Sequence, residues 1–148
     1  MSTASHKAIV RRFFEEVVDK GNFELIDELY TTDCIVHRLE YPQPIAGPRA
    51  WKQALRTRLQ AYSEFRTTIH DLIGEDDRVA CRLNHQTVHR EAWTSRVGRH
   101  AVAGKAVGWQ SMVVFHFREG KIAEQWVNRD ELGMLIGLGV LTPSRESK

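Results

Sequence analysis

The chain is short of almost every feature that announces a chemistry. Two cysteines in 148 residues leave no Cys-x-x-Cys pair, and no His-Glu-x-x-His occurs, so the common zinc motifs are missing. No glycine-rich loop has the form of a phosphate cradle, and there is no Gly-x-Ser-x-Gly elbow for a nucleophilic serine. The expectation is an absence of metal, nucleotide and organic cofactor. Net charge is only +2, with lysine and arginine scattered among the acids. No basic stripe carries interleaved aromatics, which argues against a nucleic-acid partner. No apolar run approaches the roughly 20 residues that span a bilayer. The start, MSTASHKAIV, lacks the charged-then-apolar pattern of a signal peptide. A cytoplasmic location with no membrane association is the expectation. Cys34 and Cys81 could pair in principle, but each lies in a strand-like apolar run, which favours two buried free thiols.

What is present is an ordinary globular composition, 42% hydrophobic and 27% charged. At this length it predicts one domain over 1–148, with only 142–148 fraying as a flexible tail. Ile9, Val10, Phe13, Phe14, Val17 and Val18 recur at helical spacing after a possible Ser5 cap, and Gly21 ends the run. Phe23, Leu25, Ile26, Leu29 and Tyr30 predict a second, shorter helix, and 34–37 reads as a strand. The prolines of 41–48 make that segment a loop. A third helix places Trp51, Ala54, Leu55, Arg58, Leu59 and Tyr62 on one side. Strands then follow at 65–73, 78–90, 107–118 and 121–129, with a short helix from about Asp130. Segment 91–106 is ambiguous.

Helices first and antiparallel strands afterwards predict an α+β fold. No later helix is long enough to cap a flat sheet, so the sheet must curl around the N-terminal helices. The expected shape is a cone, with the helices in the concave face of a strongly curved, mainly antiparallel sheet and a pocket between the two.

Alternation along 78–90 puts Val79, Cys81 and Leu83 on one face and carries His85, Thr87 and His89 with them. Polar residues continuing an apolar face mark either core giving way to cavity or a strand leaving the core for solvent. In the last strand Ile122, Glu124, Trp126, Asn128 and Asp130 share one parity, against Ala123, Gln125, Val127 and Arg129. Neither set is purely apolar, so parity does not choose the inward face. Asp130 before ELGML reads as a helix N-cap as readily as an acid/base group. His37, after an apolar triplet, fits core or pocket. Phe14 and Trp51 belong to helical faces, and Trp93 suits either a pocket lid or an interface. His85 and His89 are four apart on a strand, roughly 13 Å along its axis, too far to share a metal.

Three segments carry a resemblance: FRTTIHDLIGEDDRVACR at 65–82, TVHREAW at 87–93 and GKIAEQWVNRDELGMLIGLG at 120–139. Together with His37 and the Gly47 turn, they resemble the SnoaL-like polyketide cyclases of the nuclear-transport-factor-2-like superfamily. The resemblance covers almost the whole chain. It implies a cofactor-independent cyclase or isomerase with an apolar pocket for a small apolar or aromatic, polyketide-like carbonyl compound. It also implies a homodimer built through the sheet. Asp130 would be the acid/base group, with His89 and His37 as its catalytic partners. Phe14, Trp51, His85, Trp93, Met112, Trp126 and Asn128 would bind substrate. One departure is plain: the family pattern has its aspartate directly after the final-strand tryptophan, and this chain has Val127 there. Epoxide hydrolysis, which wants an Asp–Arg–Asp cluster, and non-catalytic ligand binding or dimerisation are the alternatives on the same fold.

Overall fold

A computed structural model describes residues 2–144. Helix α1 (Thr3–Arg12) is capped by Ser2, whose hydroxyl accepts from the Ser5 amide at 3.1 Å, three residues earlier than the expected cap. The helix then widens into a π turn over Phe13–Val18. The wide turn lets two adjacent pairs, Phe13–Phe14 and Val17–Val18, all be buried on one face. A 3₁₀ turn (Phe23–Leu25) leads into the single turn α2 (Ile26–Leu29). Tyr30, expected to end that helix, instead opens strand β1 (Tyr30–Arg38). The proline loop runs to β2 (Ile45–Ala46), and Gly47, at φ 87°, turns the chain into α3 (Pro48–Gln60).

Strands β3 (Tyr62–Glu75) and β4 (Arg78–His89) follow as a hairpin. The ambiguous connection folds as a small separate hairpin, β5 (Trp93–Ser95) with β6 (Gly98–His100). Long strands β7 (Ala106–Arg118) and β8 (Lys121–Arg129) come next, and α4 (Glu131–Gly137) follows. The six-stranded sheet has the order β2-β1-β8-β7-β4-β3. All neighbours are antiparallel except β1 and β8, which run parallel, so the sheet is mixed. Of the expected tail, residues 142–144 are exposed and outside helix and strand, and 145–148 lie outside the described residues.

The helices pack on one face of the curved sheet. Phe13, Phe14, Val17, Trp51 and Leu55 meet Val79, Cys81 and Leu83 of β4, Val113 and Phe115 of β7, and Val36 of β1. Cys34 and Cys81 are buried free thiols, pushed up by burial to about 11 and about 12. The alternation expected for β4 holds to its end, and His85, Thr87 and His89 are all buried.

Strand β8 does not keep its alternation. Phe117 pairs with Ile122 but His116 pairs with Glu124, so Ala123 is an extra residue. Such a bulge exchanges the two faces of a strand beyond it. Ile122 is buried, and after the bulge Gln125 and Val127 are buried too. Glu124, Trp126 and Asn128 are sent to the outer face.

Candidate active site

The concave side holds two chambers that share one wall residue, Arg58 of α3. The outer chamber has a volume of about 330 Å³ and is lined by Glu40, Tyr41, Tyr62, Trp93, Arg129 and Glu131, among others. The inner one is narrow, about 30 Å³, and lies among Phe14, Trp51, Phe65, His85, Trp109 and Gln125. Its room is about that of one water molecule.

His85 ends a polar chain that begins on the π turn. The Asp19 carboxylate accepts from the Thr67 hydroxyl at 2.6 Å and from the Thr67 amide at 3.1 Å. With its proton given to Asp19, the hydroxyl is left to accept from His85 Nδ1, 2.9 Å away. This fixes the tautomer with the proton on Nδ1 and a lone pair on Nε2, which has no hydrogen-bond partner among the described residues. Burial, and then the charges of Arg58, Arg38 and Arg129, push the imidazole down to about 3. It is therefore neutral in the empty site.

The rim between the chambers is a cluster of charges. Arg38 Nε donates to Glu40 at 2.8 Å, and Arg129 Nε lies 3.0 Å from the other Glu40 oxygen. Arg96 donates to Glu131 Oε1 at 3.0 Å, while Glu131 Oε2 has only Arg129, at 3.6 Å, and no hydrogen bond. Burial raises the Glu40 carboxyl, but Arg38, Arg129 and Arg58 outweigh it and hold it below its ordinary value. Arg58 has no carboxylate partner among the described residues. Burial, with Arg38 and Arg129 beside it, pushes its guanidinium down to about 9.

The residues singled out in the sequence fall into three groups. Phe14, Trp51 and His85 line the inner chamber, and Trp93 lines the outer one with the Arg129 guanidinium 5.8 Å from its ring centre. His89 is fully buried behind them, 4.9 Å from the Tyr62 ring centre and 5.9 Å from that of Trp93; neither ring nitrogen has a hydrogen bond. The third group is on the other side of the sheet. Met112 and Asn128 are exposed there. His37 stacks on Trp126, ring centres 5.0 Å apart, and its Nε2 is 2.6 Å from Glu124. The Ala123 bulge is the reason Trp126 and Asn128 miss the concave face, whereas Met112 is on the exposed parity of β7.

Asp130 is exposed and its carboxylate accepts from the Gly133 amide at 2.8 Å, so the structure turns it to the start of α4, away from His89. A side chain at Gly133 would collide with that carboxylate. Asp130→Ala is expected to cost about 1 kcal/mol of stability by urea denaturation, and Asp130→Asn, an equally good cap, almost nothing.

Two residues that carry the site were not among the expected ones. Glu131 is, with Glu40, one of two carboxylates lining the outer chamber, one place beyond the favoured aspartate. Arg58 was visible only as an arginine set in the apolar stripe of the third helix.

Comparison with curated protein sequences gives no match. A search of solved structures finds similar folds at low identity. TsrD from Streptomyces laurentii superposes with a TM-score of 0.81 at 18% identity, covering 95% of this chain and 99% of that one. A SnoaL-like polyketide cyclase from Agrobacterium tumefaciens gives 0.77 at 17% identity, over 94% and 100% of the two chains. An LEH-like epoxide hydrolase from M. tuberculosis gives 0.72 at 17%, over 93% and 92%. The sequence profile of the SnoaL-like polyketide cyclases matches residues 8–138. With most of its length inside that profile and the cone fold beneath it, the chain belongs to the SnoaL-like polyketide cyclase family.

Proposed function

We propose that the protein is a cofactor-independent cyclase or isomerase acting on a polyketide-like carbonyl compound, with His85 as its acid/base residue. The carrying observation is the chain Asp19–Thr67–His85, which leaves the unpartnered Nε2 of a neutral imidazole at a cavity that also holds the unpaired Arg58. The inner chamber has room for one water, and through it His85 Nε2 takes a proton from the acidic carbon between two carbonyls of a substrate in the outer chamber. Arg58, on the wall of both, stabilises the negative charge that develops on the enolate oxygen. The enolate carbon attacks a second carbonyl of the same molecule, a carbon–carbon bond forms, and the imidazolium returns its proton to the new alkoxide. The product is an isomer of the substrate, so no redox or group-transfer cofactor enters the balance. Asp19 and Thr67 hold the ring in the required tautomer. The outer chamber falls in the usual size range of small-molecule sites.

The reading is tested by incubating the protein with an aromatic 1,3-diketone in deuterium oxide and following hydrogen exchange at the central carbon by NMR. Exchange accelerated above buffer is the expected result; a background rate across a panel of such compounds ends the proposal.

A second reading rests on Glu40, Arg129 and Glu131, a carboxylate–guanidinium–carboxylate set on the outer wall. Such a set could activate water for epoxide opening. Diol formation from a simple aryl epoxide, lost in Glu131→Gln, would favour it over the first.

The outer face of the sheet also suits a homodimer. Met112 and Ile73 are exposed there by 62% and 66%, beside Ile35, Val114 and the His37–Trp126 stack. Sedimentation is expected to give a dimer for the wild type and a monomer for Met112→Glu/Val114→Glu. The buried free thiols fit a reducing, cytoplasmic location, and no helix among the described residues is long and apolar enough to cross a membrane.

A further inference from the structure

The rim of the two chambers carries more positive than negative charge. Arg38, Arg58, Arg96 and Arg129 face two carboxylates, Glu40 and Glu131. Arg38 and Arg129 share Glu40, and Arg96 and Arg129 hold Glu131. Arg58 alone is left over, although it lines both chambers and keeps accessible surface. A guanidinium without a carboxylate partner, beside two other arginines that already share Glu40, is a costly arrangement. A group of opposite charge would relieve it. The walls around it are flat and aromatic: Tyr41, Tyr62 and Trp93 in the outer chamber, Phe65 and Trp109 in the inner.

We infer that Arg58 is a ligand-binding residue for a planar oxyanion with two oxygens on one side, which takes the guanidinium fork while its ring lies between the aromatic walls. Two kinds of molecule offer that chemistry, an aromatic carboxylate and the enolate of a 1,3-diketone. Guanidinium binds such paired oxygens through two parallel N–H···O bonds, whereas a neutral amide or single carbonyl offers less charge and one acceptor. The inference deepens the proposed function, because it rests on the same site and gives its substrate as an acid that enters already ionised. It also couples the two residues. The Arg58 charge is the largest electrostatic contribution holding His85 neutral. Placing an anion on it offsets that contribution and raises the basicity of His85 when ligand is bound, although burial, the larger cause, remains.

Titration calorimetry at neutral pH with four probes tests this: benzoate, benzamide, benzoyltrifluoroacetone (an acyclic aromatic 1,3-dione that is largely ionised there and can turn both oxygens to one side) and acetophenone. Each anion is expected to bind about ten- to a hundredfold tighter than its neutral counterpart. Preference for benzoate alone, or for the dione alone, assigns the site to a carboxylate or to an enolate. Arg58→Met should erase the preference and raise Tm, because a half-buried unpaired charge is replaced by an apolar side chain; Arg58→Lys should keep part of it. Equal affinity for charged and neutral probes in the wild type overturns the inference, and so does an anion preference that survives in a folded Arg58→Met. His85→Gln separates the two claims. It should retain the anion preference while losing exchange at the diketone carbon. A wild type with anion preference and no exchange sinks the proposed reaction and leaves the binding site standing.

Discussion

His85→Gln is expected to lower turnover about 10²- to 10⁴-fold, the usual contribution of a positioned acid/base group, while Asp130→Asn leaves the rate unchanged. The contrast follows from where the two side chains point. Glutamine keeps much of the volume of the imidazole and can hydrogen-bond Thr67, but it cannot accept a proton from carbon. The Asp130 carboxylate is exposed and occupied by the Gly133 amide, so replacing it removes no group from the concave side. Thr67→Val should give a smaller loss, because it frees the imidazole to adopt the other tautomer without removing it. Rates measured on the diketone exchange reaction decide the matter. Equal loss in His85→Gln and Asp130→Asn would return the role to the aspartate.

Lowering the pH from 6.5 to 5 is expected to cost about 2 kcal/mol of stability through His85 alone. In the unfolded chain this imidazole protonates around its ordinary value of 6.5; in the fold it is pushed down to about 3 by burial and by Arg58, Arg38 and Arg129. The unfolded state therefore binds the extra proton throughout that window, and stability falls as pH falls. His89 is displaced in the same direction, by burial first and Arg129 second, and steepens the loss. Asp19, raised by burial, acts in the opposite sense nearer the carboxylate range. Urea denaturation at half-unit intervals should show the decline in the wild type and a slope reduced by one proton in His85→Gln. A stability flat from pH 6.5 to 5 would mean that neither imidazole is held neutral. Arg58→Met should leave most of the decline in place, since burial, the larger cause, still holds His85 neutral.

How far the sequence could be read depended on whether a strand kept its alternation. Strand β4 has no bulge against β7, and the inward placement of His85, Thr87 and His89 followed from Val79, Cys81 and Leu83. The α+β class and the curled sheet were legible for a similar reason, in a run of strands with no helix long enough to cover them. Strand β8 could not be read in this way. A single extra residue at Ala123 exchanges its faces, and nothing in KIAEQWV announces it. Asp130 and Glu131 are neighbours in the chain, but the first is exposed and the second buried. Arg58 was hidden by context of another kind. In the sequence it stands only as one more member of the helix side that carries Leu55 and Leu59. The missing partner appears only when Arg38 and Glu40, from one part of the chain, and Arg129, from another, are brought together around it. Tyr30 and Gln125, whose side chains hydrogen-bond each other in the core, needed the same long-range pairing to be seen.

The parallel partnership of β1 and β8 sets the order in which the molecule can be assembled. Ile35 pairs with Glu124 and Arg38 with Val127, so β1 must wait for a strand made about 90 residues later. At about 5–20 residues per second, a chain leaving the ribosome carries that strand with one long edge open for roughly 4–18 s. Only the two-residue β2 covers its other side. The backbone N–H and C=O groups along that edge have no strand to pair with throughout that interval. Misassembly should therefore begin at β1, by pairing with a strand of another chain, and conditions that slow synthesis past residue 120 should lower soluble yield more than any change in the finished fold would suggest.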